Sequence, residues 1–274
     1  VTSAARRGVA TAAAGAAAAG ATAAAAKTHR LVFLGAPGVG KGTFAARVAK
    51  ALTIPAISTG DIIRAEIKSG SALGAQIQAY SNSGKLVPDA VVNEMVKTRL
   101  AQDDAKRGYI LDGYPRTLEQ ATTLDSHQVR RARRRRRRRA CLRGHLCGPP
   151  TQTVTRVLNI TLPEHVLMTK MLARRVCADC GRGYNVATIK EGELDMPPLL
   201  PKPSDCDKCH GKPRLVIRDD DKEEIVRARF QVYRKQTEPL IAYYSQQRKL
   251  QDFAVKKGLD DTPRLFRELG ISEG

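Results

Sequence analysis

The clearest chemistry in the chain lies in Gly35-Ala36-Pro37-Gly38-Val39-Gly40-Lys41-Gly42-Thr43. This stretch nearly fills G-x-x-x-x-G-K-[ST], with Gly42 interposed before Thr43, a pattern that cradles nucleotide phosphates. Glycines let successive backbone N–H groups turn inward around an oxyanion. A helix opening at the loop adds its positive end, and Lys41 supplies a mobile cation for the outer phosphates. The competing reading is a Gly-rich loop without function. Further on, the apolar run Tyr109-Ile110-Leu111 ends in Asp112, with Arg116 on the same loop. A carboxylate at the carboxyl end of a strand beside a phosphate loop suits a water-mediated hold on Mg²⁺. Four cysteines fall as Cys177-x-x-Cys180 and Cys206-x-x-Cys209, 25 residues apart. That spacing reads as a structural Zn²⁺ held by four thiolates, the alternative being four reduced thiols. Four thiolates leave no open position, so such a metal folds a small domain and does no chemistry. His210 is a substitute ligand the set does not need, and His145 and Cys147 are incidental.

Chemistry of this kind needs rigid elements. The pattern predicts a strand over 30–34, a helix over 41–52, a strand entering the Ser58-Thr59-Gly60-Asp61 turn, and a helix carrying Arg64. A helix follows over 89–102, then the strand ending at Asp112, and another strand over 157–162. Pro163-Glu164 opens a helix expected to run to 176. An amphipathic pair spans 222–247 around Pro239, with a last strand over 250–255 and a last helix over 263–269. Strands alternating with helices give the α/β class, a P-loop doubly wound parallel sheet with its site at the strands' carboxyl ends. Two insertions, 58–87 and 173–221, are expected to be mobile flaps, the second being the lid that carries the cysteines.

At 274 residues the chain accommodates one large α/β domain with insertions. No apolar run approaches the ~20 residues of a membrane helix. The net charge of +20 is concentrated: residues 130–156 hold eleven Arg and no acidic residue. Setting aside also the four cations of residues 1–30 leaves about +5 for the folded body. A mildly basic body suits an enzyme of polyanionic nucleotides and does not demand nucleic acid. Residues 129–156 include seven consecutive arginines, Arg133 to Arg139, which repel one another and cannot pack. This block is expected to be a solvated excursion. It reads as a lineage-specific insertion or an out-of-frame stretch of a GC-rich gene, ahead of a nucleic-acid tether, because no aromatic residue interleaves the arginines. Residues 1–29 are Ala-rich with Arg6 and Arg7 and no acid, the composition of an organelle transit peptide, the mitochondrial kind included. A low-complexity tail on a cytoplasmic protein is the alternative.

Gly-Ala-Pro-Gly-x-Gly-Lys-Gly-Thr, Ser-Thr-Gly-Asp-x-x-Arg, Gly-Lys-Leu-Val (84–87) and Leu-Asp-Gly-Tyr-Pro-Arg-Thr (111–117), in this order and spacing, resemble the adenylate kinase family. The resemblance runs from residue 30 to about 270, apart from the Arg-rich block. It implies Mg²⁺-dependent transfer of a phosphoryl group from ATP to AMP by a monomer without membrane or nucleic-acid partners. Gly38, Val39, Gly40, Lys41, Gly42 and Thr43, with Arg174, Gly183 and Tyr184, would then hold ATP. Thr59, Arg64, Lys85, Leu86, Val87, Gly113, Tyr114, Pro115, Arg116, Gln120, Arg218 and Arg229 would form the AMP site. Within it Thr59 and Gln120 would read the base, and Arg64 and Arg116 would grip the phosphate in bidentate fashion. Lys41, Asp112, Arg116, Arg174, Arg218 and Arg229 would be catalytic, with Asp220 and Asp221 steadying the arginines. Cys177, Cys180, Cys206 and Cys209 would hold the zinc of the lid, although their separation is longer than usual in zinc-bearing relatives. Phe44 and Lys170 stand where Gln and Arg are common. The first is expected to change packing only, the second to weaken a phosphate contact, since Lys lacks the guanidinium fork. The rival readings are a GTP:AMP or UMP/CMP phosphotransferase of the same family, a catalytically impaired nucleic-acid-binding derivative, and a zinc-ribbon interaction module, which leaves Thr59, Arg64 and Arg116 without a role.

Overall fold

The computed structural model describes residues 28–83, 85–126, 154–203, 209 and 212–271. The expectations for residues 1–27, the arginine run, Gly84, Cys206 and His210 lie outside the described residues. Strands and helices are numbered along the chain.

Five parallel strands make the central sheet: β1 (Arg30–Leu34), β2 (Ala56–Ser58), β3 (Tyr109–Asp112), β4 (Arg156–Thr161) and β10 (Leu250–Ala254). They lie in the order β2-β3-β1-β4-β10. The chain sets β2 and β3 on one side of β1 and β4 and β10 on the other, so a crevice opens at the carboxyl end of β1. Register pairs Val32 with Leu111 on one side and Val157 on the other. Every residue of β1 is buried, as a central strand covered on both faces requires. Side chains alternate between two apolar clusters: Leu31 and Phe33 enter one, Val32 and Leu34 the other. The first face is covered by α1 (Lys41–Leu52), α6 (Glu164–Leu172), α7 (Glu223–Val232) and α9 (Thr262–Leu269). The second is covered by α3 (Ala72–Asn82), α4 (Asp89–Leu100), a helix α5 over 118–126 and α8 (Pro239–Gln246). Helix α2 (Thr59–Lys68) opens directly from β2, and its N-cap Ser58 accepts a hydrogen bond from the Asp61 amide at 3.3 Å.

Two sequence expectations are corrected. Residues 154–156 belong to the fold, not to the Arg-rich excursion. Val154 is buried, Arg156 opens β4, and Thr155 is bonded to the backbone of Arg30, its amide lying 2.8 Å from the Arg30 carbonyl. At the other stem Tyr243 donates to Asp125 at 2.8 Å. The helix expected to reach residue 176 ends at Leu172, and β5 (Arg174–Cys177) follows. Pairing with β6 (Gly183–Asn185) and β9 (Leu215–Val216) satisfies this backbone as strand and overrides local helical preference. A separate antiparallel hairpin, β7 (Ile189–Glu191) and β8 (Leu194–Met196), completes the insertion.

Candidate active site

The phosphate loop takes its shape from contacts on both sides. Gly35 has φ +139°, and a Cβ there would stand 2.3 Å from the Ile160 carbonyl oxygen, so only glycine permits the exit from β1 beside β4. A Cβ on Gly42 would stand 3.0 Å from Asp112 Oδ2. This close approach brings the carboxylate at the end of β3 against the first turn of α1, where a larger residue at 42 would have to displace it. Lys41 Nζ curls back over the loop and donates to the carbonyls of Gly35 and Ala36 at 2.8 and 2.9 Å. Burial lowers its pKa to about 8; Asp112 opposes the shift, while Arg116, Arg229 and Arg174 add to it. Burial likewise raises Asp112, against the pull of Lys41 and Arg116. Phe44 is buried and packs edge-on to Phe253, ring centroids 5.9 Å apart.

Two cavities, of about 440 and 580 Å³, open on either side of this loop. The larger is lined by Gly38, Val39, Gly40, Gly42, Thr43, Asp112, Arg174, Gly183 and Tyr184. The smaller is lined by Thr59, Lys85, Leu86, Val87, Pro115 and Gln120. Lys41, Arg64, Gly113, Arg116, Arg218 and Arg229 line both. Residues from the start of α1, from α2, from the loop after β3, from the foot of the lid and from α7 therefore meet in one cationic wall between two chambers. Arg218 and Arg229 are each lowered to about 10, first by burial and then by Arg174, with Arg64 adding for Arg218 and Arg116 for Arg229. Buried cations that depress one another define a site for a polyanion.

Tyr114 differs from its neighbours on the loop. It is buried, lines neither cavity, and donates to Asn93 Oδ1 at 2.7 Å, which fixes the loop against α4; the Tyr114–Pro115 bond is cis. Gln120 faces the smaller cavity with both amide ends engaged: Oε1 accepts from the Arg116 amide at 2.8 Å and Nε2 donates to Asp89 at 2.7 Å. Thr59 donates to the Gly113 carbonyl at 2.7 Å and so pins the start of α2 to the end of β3. Arg116 Nε donates to the same carbonyl at 2.9 Å, and Arg64 pairs with Asp61.

At the foot of the lid the charges are matched. Arg174 makes a two-pronged bond to the buried carboxylate of Asp221, its Nε at 2.7 Å. Arg229 donates to Asp220 Oδ2 at 2.8 Å and to the Asp220 carbonyl at 3.1 Å. Burial pushes Asp220 up, but Arg229, Arg174 and Arg218 outweigh it and hold the group below the usual carboxylate range.

In the lid, Cys177, Cys180 and Cys209 bring their sulfurs within 4.8 Å of one another. Cys177 and Cys209 are 3.6 Å apart, Cys209 and Cys180 3.3 Å. A disulfide needs ~2.05 Å, whereas thiolates on one tetrahedral Zn²⁺ at ~2.3 Å stand about 3.8 Å apart. The spacing fits shared coordination. Burial raises the Cys177 thiol, but bonds from the amides of Cys180 and Asp179 and from the neighbouring sulfurs reverse this and leave it low.

Sequence reasoning missed several lining residues. Gln78 and Asn82 of α3 face the smaller cavity, and Ile189, Met196, Leu199 and Leu259 face the larger. The Glu191-Gly192-Glu193 turn, with Gly192 at φ +56°, marked the hairpin that supplies two of them.

A Gly-rich loop at the switch of a doubly wound sheet, flanked by two chambers that share a cationic wall, defines a P-loop phosphotransferase acting between two phosphorylated ligands. Residues 33–136 match the family model described as adenylate kinase. The chain is similar to the adenylate kinase of Thermodesulfovibrio yellowstonii, 42% identical over 235 residues that cover 85% of this chain and 94% of that one. Similarity to the adenylate kinase of Fervidobacterium nodosum is 41% over 241 residues, 88% and 97% of the two chains. The protein named probable adenylate kinase 6, chloroplastic, of Arabidopsis thaliana is 38% identical over 251 residues, 88% and 75%. The chain belongs to the adenylate kinase family.

Proposed function

We propose that this enzyme, a nucleoside monophosphate kinase, transfers the terminal phosphoryl group of Mg·ATP to AMP, giving two ADP, and that it does so as a monomer without nucleic acid. The observation that carries this reading is the wall of Lys41, Arg64, Arg116, Arg218 and Arg229 common to both cavities. The larger cavity, which contains the phosphate loop, receives the donor; the smaller receives the acceptor. A phosphate oxygen of AMP attacks the γ-phosphorus. The bond from that phosphorus to the β,γ-bridging oxygen breaks, and ADP departs with the electron pair. Such transfer needs in-line positioning, charge neutralisation and exclusion of water more than covalent help. Lys41, Arg116, Arg174, Arg218 and Arg229 surround the moving group, Asp220 and Asp221 aim Arg229 and Arg174, and Asp112 holds the Mg²⁺ that arrives with ATP. Thr59 and Gln120 shape the acceptor base seat. Gln120 does so from a fixed amide, since Arg116 and Asp89 hold both of its ends.

The lid cysteines hold a structural Zn²⁺, with Cys206 as fourth ligand to the cluster of Cys177, Cys180 and Cys209. Residues 1–29 address the chain to an organelle. Two plant relatives carry "chloroplastic" in their names, so the plastid stands beside the mitochondrion, and a fluorescent fusion of residues 1–30 decides between them. Among the described residues no helix is long and apolar enough to cross a membrane. A coupled ADP-formation assay with ATP or GTP as donor and AMP, UMP or CMP as acceptor tests the assignment. ATP with AMP is expected to lead the panel, and faster turnover of another pair overturns it.

A further inference from the structure

The insertion over 173–221 reads in sequence as one flap, yet its parts are held differently. In the hairpin β7–β8, Ile189 and Met196 are 7% and 4% exposed and join the apolar cluster of Phe33, Phe44 and Phe253. The Asp195 amide donates to the Lys256 carbonyl at 2.9 Å, and Lys256 Nζ meets Glu193 at 2.6 Å. On the other edge Glu191 meets His165 of α6 at 2.8 Å. All three ties run to elements of the body, the segment after β10 and α6. The ties of the sheet β6-β5-β9 gather at its root and are polar: Asn185 Nδ2 donates to the Lys170 carbonyl of α6 at 2.7 Å, Arg175 to the Leu172 carbonyl at 2.9 Å, and Arg174 holds Asp221. The sheet's buried residues are Cys177 and Tyr184, neither belongs to the two core clusters, and Val216 stands 41% exposed. Residues 186–188 join the sheet to the hairpin on one side, and residues 197–214 lead from the hairpin to β9 on the other. Backbone bonds between Asn185 and Leu199, and from Val186 to Ala173, draw the boundary.

We propose that the lid is two bodies: the hairpin Ile189–Met196 stays fixed to the core as a standing wall of the donor cavity, and only the cysteine-bearing sheet swings over the bound nucleotide. Met196 and Ile189 line the larger cavity, so the donor meets a preformed apolar surface before anything closes. Core-buried apolar contacts and a backbone hydrogen bond open far more rarely than a surface-mounted sheet. Movement by part of an insertion also orders fewer residues per turnover than movement by all of it. The inference rests on the kinase reading, and the test separates the two.

Hydrogen exchange of the full chain is measured with and without a bisubstrate analogue, two adenosines joined through five phosphates. Peptides over 174–185 and 212–217 are expected to slow at least tenfold with the analogue, while 189–196 changes less than twofold. A hairpin that slows as much as the sheet, or a sheet that does not slow while the loop 38–43 does, overturns the proposal. No slowing at 38–43 overturns the kinase reading instead. As a second arm, the variant carrying Glu193→Cys and Lys256→Cys is oxidised, with Glu193→Cys alone treated identically as control. A fixed hairpin keeps at least half of the control's turnover when cross-linked; loss of more than tenfold on cross-linking, regained on reduction, means that the hairpin travels with the lid.

Discussion

Lys41 and Arg116 on the floor of the site and Arg174 and Arg229 at the foot of the lid are the same kind of group in opposite circumstances. The floor cations are buried with carbonyls for partners and Asp112 as the balancing charge among them, and each is lowered by burial and by its neighbours. The lid cations are locked onto Asp220 and Asp221 by charged hydrogen bonds, even though burial and neighbouring arginines lower Arg229 as well. Concentrated like charge destabilises the empty floor and attracts phosphate, so that region is organised for a ligand. Matched charge at the foot of the lid holds geometry, so that region is organised for aim.

The contrast makes its largest claim on rate. Lys41→Met and Arg116→Ala should each lower kcat by about 10³-fold or more without loss of fold, and Lys41→Met should raise stability. Lys41 has a pKa of about 8 here against 10.5 ordinarily. At pH 7 the folded state therefore carries its charge at a cost on the order of 3 kcal/mol. Steady-state kinetics with thermal unfolding reads both, and a Lys41→Met protein that is active or less stable breaks the comparison. Asp221→Ala should behave in the reverse way, leaving Arg174 half-buried without its carboxylate. Loss of one partner of a buried pair costs about 3–5 kcal/mol, so Tm should fall steeply, with a smaller drop in rate than Lys41→Met gives. On the proposal of a structural Zn²⁺ in the lid, a strong thiol-competing chelator should expose the lid cysteines to titration and speed amide exchange over 174–185, with rate falling less than tenfold, because a metal held by cysteines alone would have no open position for the transfer. The smallest effect is in protons. A phosphate beside Lys41 restores the ammonium's ordinary pKa, so nucleotide binding should take up a proton between about pH 8 and 10.5 and none below pH 8. Affinity should weaken as pH rises through that window, and calorimetry in buffers of different ionisation heat measures the uptake.

The floor was legible in the sequence because it is local. Gly35 to Thr43 is a contiguous motif whose strand, loop and helix follow one another, and Asp112 closes an apolar run. The foot of the lid was legible through the family resemblance, since Arg174 and Asp221 are 47 residues apart and nothing in either stretch announces the other. What stayed hidden depends on tertiary pairing. Residues 174–176 continue a helical pattern and become strand because Tyr184 and Val216 lie opposite. Tyr114 sits in a ligand motif yet turns inward to Asn93, and Met196 reaches the core on a hairpin that Asp195 ties to Lys256. The grouping of Cys177, Cys180 and Cys209 was legible by spacing, because paired C-x-x-C knuckles commonly converge on one point whatever the intervening chain does.

The bonds from Thr155 to Arg30 and from Tyr243 to Asp125 fasten the two stems that bracket residues 127–153. Between stems clamped in this way, the closing entropy of a flexible graft grows only with the logarithm of its length. A long or a short connector is then nearly equivalent to the sheet, which makes this seam a natural splice point where evolution or an engineer can graft foreign sequence without disturbing the catalyst.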